Sequence, residues 1–390
     1  MVNLISFGEI NKYLFFPFIG GIVKLFVEFY LHRFNKDLTT HPLINGLNES
    51  IGFSLALIPF LIFNFKKRKN QEKNDYYLKF DSKIFLLVLS SFLVFLQKYI
   101  LYCINHFDMI NLWLFDIIFF SFFSYLILGQ KLYIHQFISF IILFICGSIF
   151  FYFYFSVNEM KLIDFIVLVF VEILFCSSHV LIKYIFDNKN CTGWEINTYE
   201  GILSLILFLI LLIPLSQVEI DKNSKIIKIF KHINYGGKIY LDNFEYFRNL
   251  TFIDYLNFIF SSIIREAYNI FNLFTLKYFT PSHIIIILLS DEIYTSLKLI
   301  INLDIKYYII GICILYPITY FSIFVFVEII ELNFCNLSLN TRKNIINRYK
   351  DETDKEKINE INLIYSSSSE NNTNRNNEIS IRPKDKGRDT

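Results

Sequence analysis

The stretch "HIIIILLSDEIYTSLKLII", His283–Ile301, decides how the chain is read. It is long and apolar enough to cross a hydrocarbon core of about 30 Å as a helix. Yet Asp291 and Glu292 stand side by side at its middle. Insertion scales put one charged group at a helix centre at about 2.5–3.5 kcal/mol. Both carboxylates are therefore expected to face the interior of a helix bundle or water. Asp291, Tyr294, Thr295 and Lys298 fall at i, i+3, i+4 and i+7, on one helix face. Glu292 and Ser296 flank that face, and Ile284–Leu289 forms the side expected to meet lipid.

The remaining sequence repeats this pattern. Apolar residues make up 54% of the 390 residues and charged residues 18%, which a soluble chain could not bury and still cover. The apolar residues come in blocks that predict ten spans, roughly 11–31, 43–64, 84–103, 107–128, 133–155, 162–186, 194–214, 251–276, 281–303 and 306–330. Helices are expected because hydrocarbon leaves no backbone group to water, and the blocks are too long for barrel strands. The opening residues lack a basic segment followed by a small-residue cleavage site, so the first block is read as a retained span. A net charge of +2 argues against a nucleic-acid partner. The six cysteines form no C-x-x-C pair and no disulfide framework.

Charge between the blocks sets the orientation. Seven basic residues lie between Lys66 and Lys83, and Arg342, Lys343, Arg348 and Lys350 follow the last block. With ten spans both segments share a side, so both termini are expected in the cytosol. The loop 215–250 on the other side carries six basic and four acidic residues. Its piece "SKIIKIFKHI" reads equally as an interfacial helix or as a solvated loop. The segment 333–390 is polar and repetitive, with a composition expected to be disordered.

The chain carries a faint internal repeat. "SYLILGQKLYIHQFISFII" from Ser124 and "SLKLIINLDIKYYIIGICI" from Ser296 are offset by 172 residues, each a span end, a short polar turn and a new span. Five spans on either side of residue 157 must insert with opposite orientation, as in secondary transporters. The expected fold is all-α: a 5+5 inverted repeat with repeats at 1–156 and 157–332 and a tail at 333–390. This organisation resembles the drug/metabolite transporter superfamily, in particular its nucleotide-sugar-transporter-like branch, solute carrier family 35. The stretches carrying the resemblance are "HPLINGLNESIGFSLALIPFLI", "TYEGILSLILFLILLIP" and "REAYNIFNLFTLKYFTPSHIIIILLSD". The Glu200–Gly201 pair is similar to a Glu-Gly pair in one subgroup. The resemblance covers residues 11–330 and implies an endomembrane protein, of Golgi, ER or vacuolar/lysosomal membranes, that moves metabolites; it does not assign a substrate.

Polar residues inside the spans point to the site. Ser262, Arg265, Glu266, Asn269 and Asn272 form one stripe in span eight, and Glu172, Cys176, His179 and Lys183 another in span six. Lys24 and Glu28 sit four apart in span one, with Lys98 in span three, Asp116 in span four and Glu200 in span seven. The expected substrate-binding set is Lys98, Asp116, Lys183, Glu200, Arg265, Glu266, Asn269, Asp291 and Glu292, lining a polar cavity. Arg265, Lys98 and Lys183 would bind an anionic group, and Asp291, Glu292, Glu266 and Glu200 a cation or a proton. The alternative for each is pairing that holds helices together, as between Arg265 or Glu266 and Asp291 or Lys298, Lys24 and Glu28, or Glu172 and Lys183.

The expected function is secondary transport of a small organic solute, anionic or polar, with a nucleotide sugar or related metabolite as the class the resemblance implies, by alternating access. Its partners are that small molecule and the lipid bilayer, with a homodimer left open; no cofactor, metal or nucleic acid is expected. A competing intramembrane protease would use Asp116 and Asp291, but "LFD" and "LSD" lack the Gly-x-Gly-Asp context. Neither G-x-S-x-G nor H-E-x-x-H occurs, so no enzyme is expected. A receptor or scaffold is the third class.

Overall fold

The structure, a computed structural model, describes residues 5–7, 14–70, 82–104, 113–130, 132–158, 162–189, 191–223, 230–289 and 306–332. These divide between two compact units. The smaller gathers Met1–Ser6, Tyr133–His135 and Glu331–Thr390. Strands β1 (Ile5–Phe7) and β5 (Ile330–Leu332) form a two-stranded sheet. The larger, Phe7–Leu132 and Gln136–Ile330, carries the helices discussed below. Asp291, Glu292, Lys298, the piece 224–229 and the tail 333–390 lie outside the described residues.

The described chain is all-α in class. Its helices are α1 (Phe15–Phe34), α2 (Lys36–Thr40), α3 (Pro42–Ser54), α4 (Leu57–Asn70), α5 (Ser82–Cys103), α6 (Trp113–Leu128), α7 (Ile134–Asn158), α8 (Leu162–Lys189), α9 (Gly193–Leu215), α10 (Glu245–Asn249), α11 (Phe252–Tyr278) and α12 (Lys306–Phe326). Residues 284–289 are also helical. Among the described residues four stretches are long and apolar enough to cross a membrane: Pro42–Phe63, Ser82–Cys103, Phe165–Lys189 and Gly193–Leu215. Shorter apolar helices are Phe115–Leu128, Ile134–Ile149 and Leu315–Phe326.

Local chemistry sets the boundaries. Thr192 caps α9, accepting from the Glu195 amide at 3.2 Å. Thr251 and Asp254 form a reciprocal capping box at α11. The second span, expected as one helix, is interrupted at Leu55–Ala56. Pro59 has no N–H to offer the Leu55 carbonyl, and the helical ladder re-forms only from Leu57.

In lipid the apolar effect does not drive helices together, so close backbone approach has to. Gly201 of α9 lies against the backbone of Phe53 and Ser54 in α3, and Gly52 of α3 lies against the Ser262 carbonyl of α11. The Phe208 ring fills the space over Gly46. Asn48 ties α3 to α11, its amide donating to the Phe258 carbonyl at 2.7 Å and the Ser262 hydroxyl at 2.8 Å. Tyr30 and Asn35 tie α1 to α11 through the side chain and carbonyl of Asn257. α9 also packs on α5, α5 on α8 and α8 on α6.

One sequence expectation is reversed. Ile284, Ile285, Ile286, Ile287 and Leu289 do not meet lipid; all are buried, packed in the core with α6, α8 and α11 or, for Ile287, beside Gly20 of α1. A helix apolar on all sides carries no signal for which side faces protein, and in such a run burial is the commoner outcome.

The loop after α9 is folded. β2 (Glu219–Ile220), β3 (Ile233–Tyr235) and β4 (Lys238–Tyr240) form an antiparallel sheet in the order β2-β4-β3. Gly236 and Gly237 turn the β3–β4 hairpin at φ 56° and 78°, the left-handed pair a tight hairpin turn requires. Lys238 pairs with Glu219 at 2.9 Å, and this contact raises the lysine pKa above its ordinary value. Asp242, fully buried, anchors the loop to the bundle. Its Oδ2 accepts from the Leu43 and Ile44 amides at 2.7 and 3.0 Å, and its Oδ1 meets His41 Nδ1 at 2.9 Å. A carboxylate from the loop therefore caps the N-terminus of α3. Lys231 adds a second tie, its amide donating to the Cys103 carbonyl at 2.7 Å.

Candidate functional site

The site forms where α3, α5, α9 and α11 meet. α11 presents Arg265, Glu266, Asn269 and Asn272 on one face, because those residues recur at helical spacing. All four are buried. The Arg265 guanidinium donates to the Asn45 carbonyl at 2.9 Å and also to the Asn45 side-chain oxygen. The Glu266 carboxylate accepts from the Asn197 amide with both oxygens, at 2.7 and 2.8 Å. Asn269 donates to the Asn197 side-chain oxygen at 2.6 Å.

α5 supplies the other cation. Lys98 Nζ lies 3.2 Å from Glu49 of α3 and 3.6 Å from the centre of the Phe53 ring. The Tyr102 hydroxyl, one turn further, donates to the second Glu49 oxygen. Glu49 is thus held by an ammonium and a phenol, with the Arg265 charge nearby. That is the compensation a buried carboxylate needs.

Glu200 of α9 is less well provided. Its side chain is 2% exposed, faces Asn269 and feels the Lys98 charge, yet its Oε1 has no hydrogen-bond partner. The same holds for Ser204 Oγ, one turn along α9, and for Asn272 Oδ1 on α11, which packs against α9. Three buried oxygens without partners on two adjoining helices mark the part of the cluster that the protein does not satisfy.

The sequence-derived set separates on this geometry. Lys98, Glu200, Arg265, Glu266 and Asn269 come together. Asp116 lies in a second polar group, where its carboxyl meets Cys176 Sγ at 3.6 Å and the Glu172 side chain of α8. Lys183, near the C-terminal end of α8, lies 3.0 Å from Asp187 and 3.4 Å from the Lys277 carbonyl, and pairs with Asp187 rather than Glu172. Asp291 and Glu292 are outside the described residues. Lys24 and Glu28 pair at 2.7 Å, as their spacing suggested.

Sequence reasoning missed Glu49, Asn45, Asn48, Tyr102 and Asn197. The signal was present: Asn45, Asn48 and Glu49 stand at i, i+3 and i+4 within an apolar block, the spacing that identified the stripe of α11. Among the described residues no group of histidine, cysteine and carboxylate side chains could hold a metal ion.

The two ends of the bundle differ. Where α5 and α9 begin, Lys83 bonds Glu195 at 2.7 Å and Lys189 bonds Ser82 at 2.7 Å. At the opposite end a cavity of ≈ 500 Å³ opens between α1, α2 and the folded loop, lined by Arg33, Asn35, His41, Tyr235, Asn243 and Glu245 among others. Compared with protein-family models and with curated proteins, the sequence matches none.

Proposed function

We propose that the chain is a secondary transporter of a small polar organic solute, working by alternating access through ten spans in two five-helix repeats of opposite orientation. The observation that carries this reading is the cluster of Lys98, Glu49, Glu200, Arg265 and Glu266, buried at the junction of four helices. Charges in membrane helices are costly and are retained where they handle a solute or ion. A bundle needing only adhesion has cheaper means in Gly, Ser and Thr, which this one also uses at Gly52, Gly201 and Ser262.

The packing partners support the repeat. Exchanging each span with the one five places on turns α1 against α11 into α8 against α5, and α3 against α11 into α9 against α5. The α3–α9 pair maps onto itself. The approach of Gly20 in α1 to Ile287 corresponds to that of α8 to α6. These paired contacts are ones that a twofold relation between the halves would give. The cluster draws on α3 and α5 from one half and α9 and α11 from the other, the place where transporter sites lie. On this reading both termini lie in the cytosol, and the protein is one of the endomembranes and of the drug/metabolite transporter kind.

Counterflow in proteoliposomes, with a panel of nucleotide sugars, nucleotides, amino acids and amines, tests the function. Accelerated exchange of one class, lost in Arg265→Ala, is expected. A purified, folded protein that exchanges none of them, or cleaves a peptide substrate instead, would sink the transport reading.

A further inference from the structure

We infer that the group this site takes from its solute is a protonated amine, anchored by Glu200. The inference rests on the transport reading and names the chemistry of what is carried.

The first argument is what the site lacks. Its two described cations already face protein acceptors: Arg265 the two oxygens of Asn45, and Lys98 the Glu49 carboxylate and the Phe53 ring. An incoming phosphate or carboxylate would have to displace these partners. On the described residues of α9 and α11 the buried atoms without partners are Glu200 Oε1, Asn272 Oδ1 and Ser204 Oγ. The first two only accept hydrogen bonds, and a hydroxyl is free to accept as well. The site is therefore short of donors, and an anion brings more acceptors to atoms that already lack partners.

The second argument is charge. In this cluster three carboxyl groups, Glu49, Glu200 and Glu266, stand with two basic side chains, Lys98 near all three and Arg265 near Glu49. Glu49 is satisfied by Lys98 and Tyr102, and Glu266 by Asn197. The excess acceptor capacity falls on Glu200, whose Oε1 is the one carboxylate oxygen of the three without a hydrogen-bond partner. An alkylammonium carries three donors and no acceptor, and its bonds to a carboxylate are charge-assisted. It supplies both missing quantities at once.

Glu200 and Ser204 are one turn apart on α9, and Asn269 and Asn272 are neighbours on the facing side of α11. An amine entering between the two helices meets the Glu200 carboxyl, which Asn269 of α11 already bonds from the other side. Phe53, whose ring already faces Lys98, lies on α3 against Gly201.

The test uses the purified full-length chain and three probes: 1,4-diaminobutane, tetraethylammonium and UDP-glucose. Thermal melting in detergent reads binding, and counterflow in proteoliposomes reads transport. The diamine is expected to raise the melting temperature and to exchange. Tetraethylammonium, a cation without N–H donors, is expected to act at least about tenfold more weakly. Glu200→Gln should remove the diamine response, while Glu200→Asp, which keeps the charge on a shorter arm, should retain a weakened one. Glu200→Asp also serves if the glutamine variant does not fold. Stabilisation by UDP-glucose without any by the diamine overturns the assignment, as does a diamine response unchanged in both variants. Diamine binding without counterflow upholds the assignment and removes the transport reading; counterflow of UDP-glucose alone does the reverse.

Discussion

Lys98 lies between a carboxylate and an aromatic ring, and both contacts depend on its charge. Lys98→Ala leaves Glu49 buried with a phenol and the more distant Arg265, and is expected to cost about 3–5 kcal/mol. Adding Glu49→Gln should recover much of that loss, because a neutral amide no longer needs the ammonium. Melting curves of the two single variants and the double variant measure the coupling; strictly additive losses would show that the two side chains do not act as a pair. Gly201 makes a steric counterpart. A Cβ there would run into the Phe53–Ser54 backbone, so Gly201→Ala is expected to destabilise by about 1–3 kcal/mol. Gly193→Ala, whose Cβ would sit 3.8 Å from Leu273, is expected to be nearly neutral. Equal melting of the two glycine variants would contradict the close α3–α9 approach. At this scale the sequence was legible where polar residues recur at helical spacing, as from Arg265 to Asn272. It was not legible across Ile284–Leu289, because apolar side chains suit a protein interior and lipid alike.

Among the elements, the loop between α9 and α11 departs furthest from its reading in the sequence. Glycines and alternating residues mark the hairpin, but nothing local announces that Asp242 caps a helix 199 residues earlier. Caps are ordinarily sought within three residues of the helix they serve. Asp242→Ala removes the acceptor for both the Leu43 and Ile44 amides, a loss of about 0.5–2 kcal/mol by analogy with local caps. Hydrogen exchange at those two amides should quicken, while exchange within α11 stays at its wild-type rate. Unchanged protection at Leu43 and Ile44 would mean that the cap contributes nothing. The interruption at Leu55–Ala56 was, by contrast, readable from Pro59, since a proline in the first turn of α4 cannot give the Leu55 carbonyl its helical donor, and that carbonyl accepts from the Ile58 amide at 3.1 Å instead.

The whole molecule's topology is open to direct test. Gly236 and Gly237 have nothing within 4 Å of where a side chain would project, so a short tag inserted in that turn should leave the fold intact. It should be accessible from the side opposite to tags near residue 70 and at the C-terminus, both of which are expected to be cytosolic. Finding all three tags on one side would refute the ten-span arrangement. The cap on α3 also has a consequence in time. A ribosome adds about 5–20 residues each second, so the chain between Leu43 and Asp242, 199 positions apart, takes about 10–40 s to synthesise. Throughout that interval the Leu43 and Ile44 amides are without their native acceptor. The first turn of α3 therefore gains its cap only after the helices from α4 to α9 have been made.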